Sequence, residues 1–133
     1  MASRSSLVPI RTSEDVVRVR QEVRARAIEA GLGLVDQTKI VTAASELARN
    51  TLDYGKGGEA RLEVLQEHGR RGLRIVFEDN GPGIPDIDLA LKDGYTSGKG
   101  MGLGLGGARR LCNEFSIAST PGQGTRVTIA RWK

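Results

Sequence analysis

Two glycine-rich segments in the second half of the chain carry residue types suited to binding a nucleotide. The first, Asp79-Asn80-Gly81-Pro82-Gly83-Ile84-Pro85, follows an apolar run that predicts a strand, and the second, GMGLGLG at 100–106, leads into a predicted helix. Repeated glycine lets a backbone come close to a ligand, and the free N–H groups at the start of a helix attract an anion. A carboxylate that accepts from a base amine, followed by a cradle for phosphates, predicts a nucleotide site.

Two polar side chains on a predicted helix could add to this site. Glu46 and Asn50 are four residues apart, so they are neighbours beside the apolar stripe of that helix. On its own, such a pair is usually a surface hydrogen bond. Its meaning therefore depends on what lies opposite.

Asp79 has two interpretations from the residues alone. Leu73, Ile75 and Phe77 alternate along the predicted strand, and Asp79 continues on their face. A carboxylate in line with core residues is unusual without a partner. An aspartate before Asn-Gly is also typical of a turn, and this alternative stays open.

The spacing of apolar and turn-forming residues predicts the elements that must position these groups. Thr12 and Asp15 have capping-box spacing, and Pro9 confines its run to an edge strand or an extended lead-in. The predicted elements are an edge strand at 7–10, a helix from Thr12 to Gly31, a helix capped by Asp36 and ending near Leu52, strands at 60–67 and 73–79, an irregular segment at 85–99 that could form a lid, a helix at 107–114 with Cys112 buried in it, and strands at 115–119 and 125–132.

Length and composition favour one globular domain over residues 1–133. The net charge of +4 and the pI of about 9.6 raise the question of nucleic acid. However, the basic residues are dispersed and aromatics make up only 4%, so we expect no nucleic acid partner. A single cysteine excludes an internal disulfide. No stretch has the apolar length of a signal peptide or a membrane span, so we expect a cytoplasmic protein with no membrane partner.

Other small-ligand motifs fit poorly. A dinucleotide fingerprint should directly follow a strand, but Gly100 follows a polar segment rich in turn-forming residues. A P-loop needs Gly-Lys-Ser/Thr after its glycines, and the chain lacks it. One cysteine and one histidine, His68, do not support a zinc site.

Three segments in order resemble the N, G1 and G2 boxes of the GHKL ATPase superfamily, which includes gyrase, Hsp90, histidine kinases and MutL. They are Glu46–Asn50, Asp79–Gly83 and Gly100–Gly104, and Gly124-Thr125 resembles the final motif. The resemblance implies the Bergerat fold. This is an α+β, two-layer sandwich with a mixed, mainly antiparallel sheet and helices packed on one face.

A narrower resemblance covers nearly the whole chain. The segments at 35–37, 45–50, 81–87 and 113–115 are similar to those of the RsbT-type switch kinases, which belong with the bacterial anti-sigma-factor kinases. It implies a serine/threonine protein kinase that transfers the ATP γ-phosphate to STAS-domain proteins, the scaffold and antagonist of a stressosome partner-switching system. The kinase is then released to activate a PP2C-type phosphatase.

The resemblance also implies roles by position. Glu46 would orient or deprotonate the acceptor hydroxyl, and Asn50 would hold Mg²⁺. Asp79 would accept from the adenine amino group, helped by a water near Thr125. The residues implied to contact ATP or ADP are Asn50, Asp79, Gly81, Gly83, Ile84, Gly100, Met101, Gly102, Leu103, Gly104 and Thr125.

One rival function belongs to a different class, a nucleotide-gated anti-sigma factor that acts by sequestration. The presence of Glu46 favours the kinase, because binding ATP alone does not require it. A detached histidine-kinase ATPase domain is a weaker alternative, since no phosphoacceptor helix is expected. The chain departs from its relatives at Gly106-Gly107, where many carry a proline.

Overall fold

A computed structural model describes residues 2–91 and 105–133. The second glycine-rich segment, 100–104, and most of the predicted lid lie outside the described residues. The elements in chain order are β1 (Ala2–Ile10), α1 (Ser13–Glu29), α2 (Leu34–Asp53), β2 (Gly58–Glu67), β3 (Arg70–Asp79), α3 (Ile87–Ala90), α4 (Leu105–Arg110), β4 (Glu114–Thr120) and β5 (Gly124–Trp132).

The five strands form one sheet in the order β1-β2-β3-β5-β4. β3 lies in the centre and β1 at an edge, as Pro9 predicted. The α+β fold class with helices on one face of the sheet is confirmed. All four strand pairs in the described residues are antiparallel, whereas the prediction allowed some parallel pairing. Two tight hairpins, β2–β3 and β4–β5, account for two of these four pairs, because a short turn can join only antiparallel strands.

The core lies between the sheet and the long helices α1 and α2. Each helix buries a stripe with a spacing of three and four residues, and each inner strand buries alternate residues. Burying one such side chain contributes about 1.5–3 kcal/mol. The largest fully buried side chains are Ile10, Val19, Val23, Ile40, Leu47, Leu62, Val64, Leu65, Leu73, Ile75 and Ile129. None of the described helices is both long and apolar enough to cross a bilayer.

The two long helices begin in different ways. Thr12 caps α1, and its hydroxyl accepts from the Asp15 N–H while the Asp15 carboxylate accepts from the Thr12 N–H, which is the predicted capping box. The cap predicted for α2 is wrong. That helix begins at Leu34, after an extended Gly33. Asp36 lies in its first turn, and its carboxylate binds the Arg131 guanidinium of β5 at 2.8 Å, so it does not cap.

The helix predicted at 107–114 ends earlier than expected. Within the described residues it runs from Leu105 to Arg110, and it ends there because the backbone at Asn113 already pairs with Ala130 of β5 (2.9 Å). Cys112 therefore lies beyond the helix and is half-buried. Burial raises the pKa of its thiol to about 11, with the Arg131 charge opposing this effect.

Candidate nucleotide-binding site

A pocket opens where the C-terminal half of α2 crosses the ends of β3 and β5. Its lining combines apolar side chains with a few polar ones, the composition expected of a site for a planar organic ligand. The residues that line it are Leu47, Asn50, Thr51, Tyr54, Phe77, Asp79, Ile84, Leu105, Thr125 and Val127. Four of the residues predicted to contact a nucleotide, Asn50, Asp79, Ile84 and Thr125, therefore lie together here.

Asp79 ends the central strand β3, opposite Thr125 of β5. Its side chain is half-buried, and its Oδ1 atom accepts the Gly81 N–H at 2.9 Å. Both interpretations of Asp79 are thus partly right, because it continues the core face and also closes a turn. Burial raises the pKa of the Asp79 carboxyl above its ordinary value of 3.8, while the backbone N–H groups of Gly81 and Thr125 oppose the shift.

The Asp79 carboxylate occupies space that is open because Gly55 has no side chain. A Cβ atom at Gly55 would overlap the Asp79 carboxyl group, and one at Gly81 would lie 2.7 Å from the Gly55 carbonyl oxygen. The loop after α2 can therefore pass directly over the end of β3 only with glycine at both positions. The sequence marked Gly55 as part of a loop, but nothing local connected it with Asp79.

The segment 81–84, called here the G1 loop, makes three hydrogen bonds to its surroundings besides the one from Gly81 to Asp79. The Tyr54 hydroxyl donates to the Gly83 carbonyl oxygen at 3.0 Å, and the Ile84 N–H donates to Ser119 Oγ at 2.6 Å. The Gly122 N–H, in the β4–β5 turn, donates to the Pro82 carbonyl oxygen at 2.8 Å. Ser119 Oγ also lies 2.8 Å from Thr125 Oγ1. Tyr54 and Ser119 thus hold the loop against α2 and against the β4–β5 hairpin.

Sequence reasoning missed both of these anchors. Tyr54 lies one helical turn after Asn50, so the same spacing that linked Glu46 to Asn50 could have indicated it. Ser119 gives no local signal. It is opposite Thr125 only through the pairing of β4 with β5, which the sequence does not fix to the residue.

The other predicted residues divide into three groups. Gly81 and Gly83 form the G1 loop at the edge of the pocket. Glu46 lies one turn before Asn50 on α2, is exposed, and is not among the residues lining the pocket. The segment from Gly100 to Gly104, with Met101, Gly102 and Leu103, lies outside the described residues.

The sequence matches a known family over most of its length. The sequence model described as "Histidine kinase-, DNA gyrase B-, and HSP90-like ATPase" matches residues 35–133. The chain therefore belongs to this ATPase family and, as a member of it, binds ATP. Its more specific type is that of the RsbT serine/threonine kinases. It is 46% identical over 127 residues to "Serine/threonine-protein kinase RsbT" of Bacillus subtilis, covering 96% of each chain.

A more distant relative shares part of the sequence, and two solved structures share the fold. An "Anti-sigma F factor" of Shouchella clausii is 27% identical, with 98% of this chain and 93% of the relative covered. The fold resembles the RsbU and RsbW domains of Rv1364c from Mycobacterium tuberculosis, with a TM-score of 0.69 at 21% identity. That match covers 98% of this chain and a third (33%) of the other. The catalytic domain of histidine kinase ThkA matches with a TM-score of 0.55 at 13% identity, over 95% of both chains. These two structures show the fold alone.

Two glycines with nearly equal backbone angles allow a matched test of the G1 loop. Gly83 has φ +78° and Gly69, in the β2–β3 turn, has φ +76°. A Cβ atom at Gly69 would meet nothing within 4 Å, but at Gly83 it would lie 2.5 Å from the Thr120 carbonyl oxygen. Alanine at either position should lower the free energy of unfolding by about 1–2 kcal/mol, because an L side chain disfavours the left-handed conformation. Gly83→Ala should lower it by about 1–3 kcal/mol more, because the added methyl group overpacks the site.

Urea unfolding of the two variants beside the wild type measures this difference. Equal losses of unfolding free energy would mean that the G1 loop does not pack closely against the β4–β5 turn.

Proposed function

We propose that this protein transfers the γ-phosphate of ATP to serine or threonine of STAS-domain regulatory proteins in a bacterial stress-signalling, partner-switching system. The observation that carries the proposal is the convergence of Asn50, Asp79, Ile84 and Thr125 on one pocket. Its kinase type is supported by the RsbT relative, which covers nearly the whole chain. A cytoplasmic location, which such substrates would require, remains a prediction.

In this proposal, the Asp79 carboxylate recognises the adenine base by accepting a hydrogen bond from it. The amino group of adenine is a hydrogen-bond donor, and an ionised carboxylate is a strong acceptor. Gly81 and Thr125 already direct backbone N–H groups at this carboxylate, which favours its charged form. Apolar side chains such as Leu47, Phe77 and Val127 supply a pocket suited to the flat faces of the base.

Asn50 is proposed to hold Mg²⁺. Magnesium binds oxygen ligands, keeps several waters, and is commonly held by few protein groups together with substrate phosphates. An asparagine side chain offers such an oxygen, and Asn50 is one of the residues that line the pocket. Within residues 2–91 and 105–133, no group of three or more Asp, Glu, His or Cys side chains is arranged so that it could hold a metal ion. Phosphate and water oxygens would therefore complete the shell. When bound, the ion would neutralise phosphate charge.

Glu46 is proposed to act on the acceptor hydroxyl. It is exposed, one turn before Asn50 on the same helix. A carboxylate here could take the hydroxyl proton as the hydroxyl oxygen bonds to the γ-phosphorus and ADP leaves. An exposed base fits an acceptor presented by a docked protein better than a small molecule enclosed in the pocket.

The proposed switch follows from charge. Phosphorylation adds about −1.5 to −2 charges to the acceptor residue. Next to Glu46 and the remaining phosphates, that charge would repel and favour release of the partner. The freed kinase would then activate a PP2C-type phosphatase. The second candidate, sequestration of a sigma factor, is supported by the 27% identity to the anti-sigma F factor.

Replacing Asp79 by asparagine tests the reading of the base. Asp79→Asn should weaken ADP binding about ten- to a hundredfold, as expected for the loss of a charge-assisted hydrogen bond. Inosine diphosphate has a carbonyl oxygen in place of the amino group, so the variant should lose much of the preference for ADP. Calorimetry with both nucleotides measures the ratio of ADP affinity to inosine diphosphate affinity. Unchanged ADP affinity in the variant would show that the base binds elsewhere.

The preference of the wild type for ADP should also weaken in acid, when the Asp79 carboxylate becomes protonated. This loss should occur at a higher pH than for an ordinary aspartate, because burial raises the Asp79 pKa.

Two α2 variants separate chemistry from metal binding. Glu46→Ala should keep nucleotide affinity and lose phosphate transfer, because it removes only the proposed base. Asn50→Ala should lose transfer and also the Mg²⁺ dependence of nucleotide binding. Thr42→Ala, an exposed position one turn before Glu46, is the matched control and should change neither. Transfer by Glu46→Ala at the wild-type rate would leave Glu46 without a catalytic role.

Labelled ATP, Mg²⁺ and STAS-domain proteins from the same genome test the substrate. We expect label on a serine or threonine of a STAS protein, and stronger retention of the unmodified protein than of a phosphomimetic form in a pull-down. Tight binding without any transfer would favour the sequestering factor. Neither binding nor transfer to any STAS protein would refute the substrate assignment, and equal retention would refute the release mechanism.

A further inference from the structure

We propose that Ser119 is a positioning residue that helps the pocket select adenine, by fixing the direction in which the Thr125 hydroxyl points its proton. This inference rests on the proposed recognition of adenine by Asp79. It extends that recognition to Ser119, which belongs to none of the sequence motifs described above. Ser119 itself does not line the pocket, whereas Thr125 does. Any effect of Ser119 on the ligand would therefore pass through Thr125 or the G1 loop.

The Ser119 hydroxyl lies among three polar atoms. It is on β4, opposite Thr125 of β5. Its Oγ is 2.6 Å from the Ile84 N, 3.2 Å from the Gly124 carbonyl oxygen and 2.8 Å from Thr125 Oγ1. One hydroxyl therefore connects the G1 loop, the backbone of β5 and the side chain of Thr125.

Counting protons and lone pairs assigns the direction of each bond. A serine hydroxyl has one proton to donate and two lone pairs to accept. The Ile84 N–H can only donate, so it takes one lone pair. The Gly124 carbonyl can only accept, so the Ser119 hydroxyl donates its one proton to it in a hydrogen bond. All three contacts are then hydrogen bonds only if Thr125 donates its own proton to the second lone pair of Ser119.

This arrangement leaves Thr125 Oγ1 with lone pairs that can accept, on a residue that lines the pocket. The Asp79 carboxylate is also an acceptor, and the two residues are paired across β3 and β5. Two acceptors side by side favour a ligand edge that carries an amino group, reached directly or through a water. They disfavour a carbonyl oxygen at the same place. Ser119 would thus add to the preference for adenine over hypoxanthine.

Ser119→Ala removes the acceptor for the Thr125 proton, so the Thr125 hydroxyl can rotate and donate to a carbonyl oxygen. We expect the ratio of ADP to inosine diphosphate affinity to fall by about fivefold to tenfold, the size of one ordinary hydrogen bond. Ser119→Thr keeps the hydroxyl and should retain the ratio. Ser116→Ala, an exposed serine on the other face of β4, is the matched control and should leave the ratio unchanged.

Calorimetry with both nucleotides, together with thermal unfolding of each variant, distinguishes selection from general damage. A merely structural loss would weaken both nucleotides equally and leave the ratio at the wild-type value, which would overturn the proposal. Thr125→Val provides a second route if Ser119→Ala folds poorly. It should lower the ratio as well, and adding Ser119→Ala to it should change the ratio no further, because both act through one proton.

The nucleotide preference of the wild type distinguishes a failure of the role proposed for Asp79 from a failure of the role proposed for Ser119. If the wild type does not prefer ADP, the reading of adenine by Asp79 fails and the role of Ser119 fails with it. If the wild type prefers ADP, Asp79→Asn loses the preference and Ser119→Ala keeps it, then only the role of Ser119 is refuted.

Discussion

The half-buried carboxylate of Asp79 is the constraint on which the rest of the site depends. A charge removed from water is costly unless hydrogen bonds replace its hydration. Two backbone N–H groups, from Gly81 and Thr125, supply part of that replacement, yet the pKa of Asp79 is still raised by burial. These two hydrogen bonds therefore do not fully offset the loss of hydration, and a hydrogen bond from a further donor would stabilise the charged form. The amino group of adenine is the donor that we propose for this place.

The sheet order explains how distant parts of the chain reach this carboxylate. Because β3 lies between β2 and β5, the end of β3 meets the start of β5, which brings Thr125 opposite Asp79. The pairing of β5 with β4 then adds Ser119. Helix α2 ends at the same side of the sheet, where it places Asn50 and the residue that follows the helix, Tyr54, beside the pocket. The loop after α2 carries Gly55, whose missing side chain leaves space for the carboxylate.

Features that depend on local chemistry could be predicted from the sequence. The capping box of Thr12 and Asp15 spans four residues, and the face of Asp79 follows from the alternation along one strand. Features that depend on tertiary partners could not. Asp36 could have capped α2, but Arg131, far along the chain, binds it instead. Ser119 became part of the site only through strand register, and Gly55 only through the approach of a loop to β3. The family resemblance implied the expected roles, whereas the anchors Tyr54 and Ser119 were found only from the structure, at the end of α2 and through the pairing of β4 with β5.

A crystal structure of the protein with bound ADP would show directly whether Asp79 binds the adenine base. We expect the adenine amino nitrogen within about 2.7–3.2 Å of an Asp79 carboxylate oxygen, the usual range for such a hydrogen bond. The base should lie between the α2 wall and the ends of β3 and β5, with Ser119 still bonded to Ile84 and Thr125. A base that binds away from Asp79, or that faces it with a ring edge lacking the amino group, would refute the proposed role of Asp79.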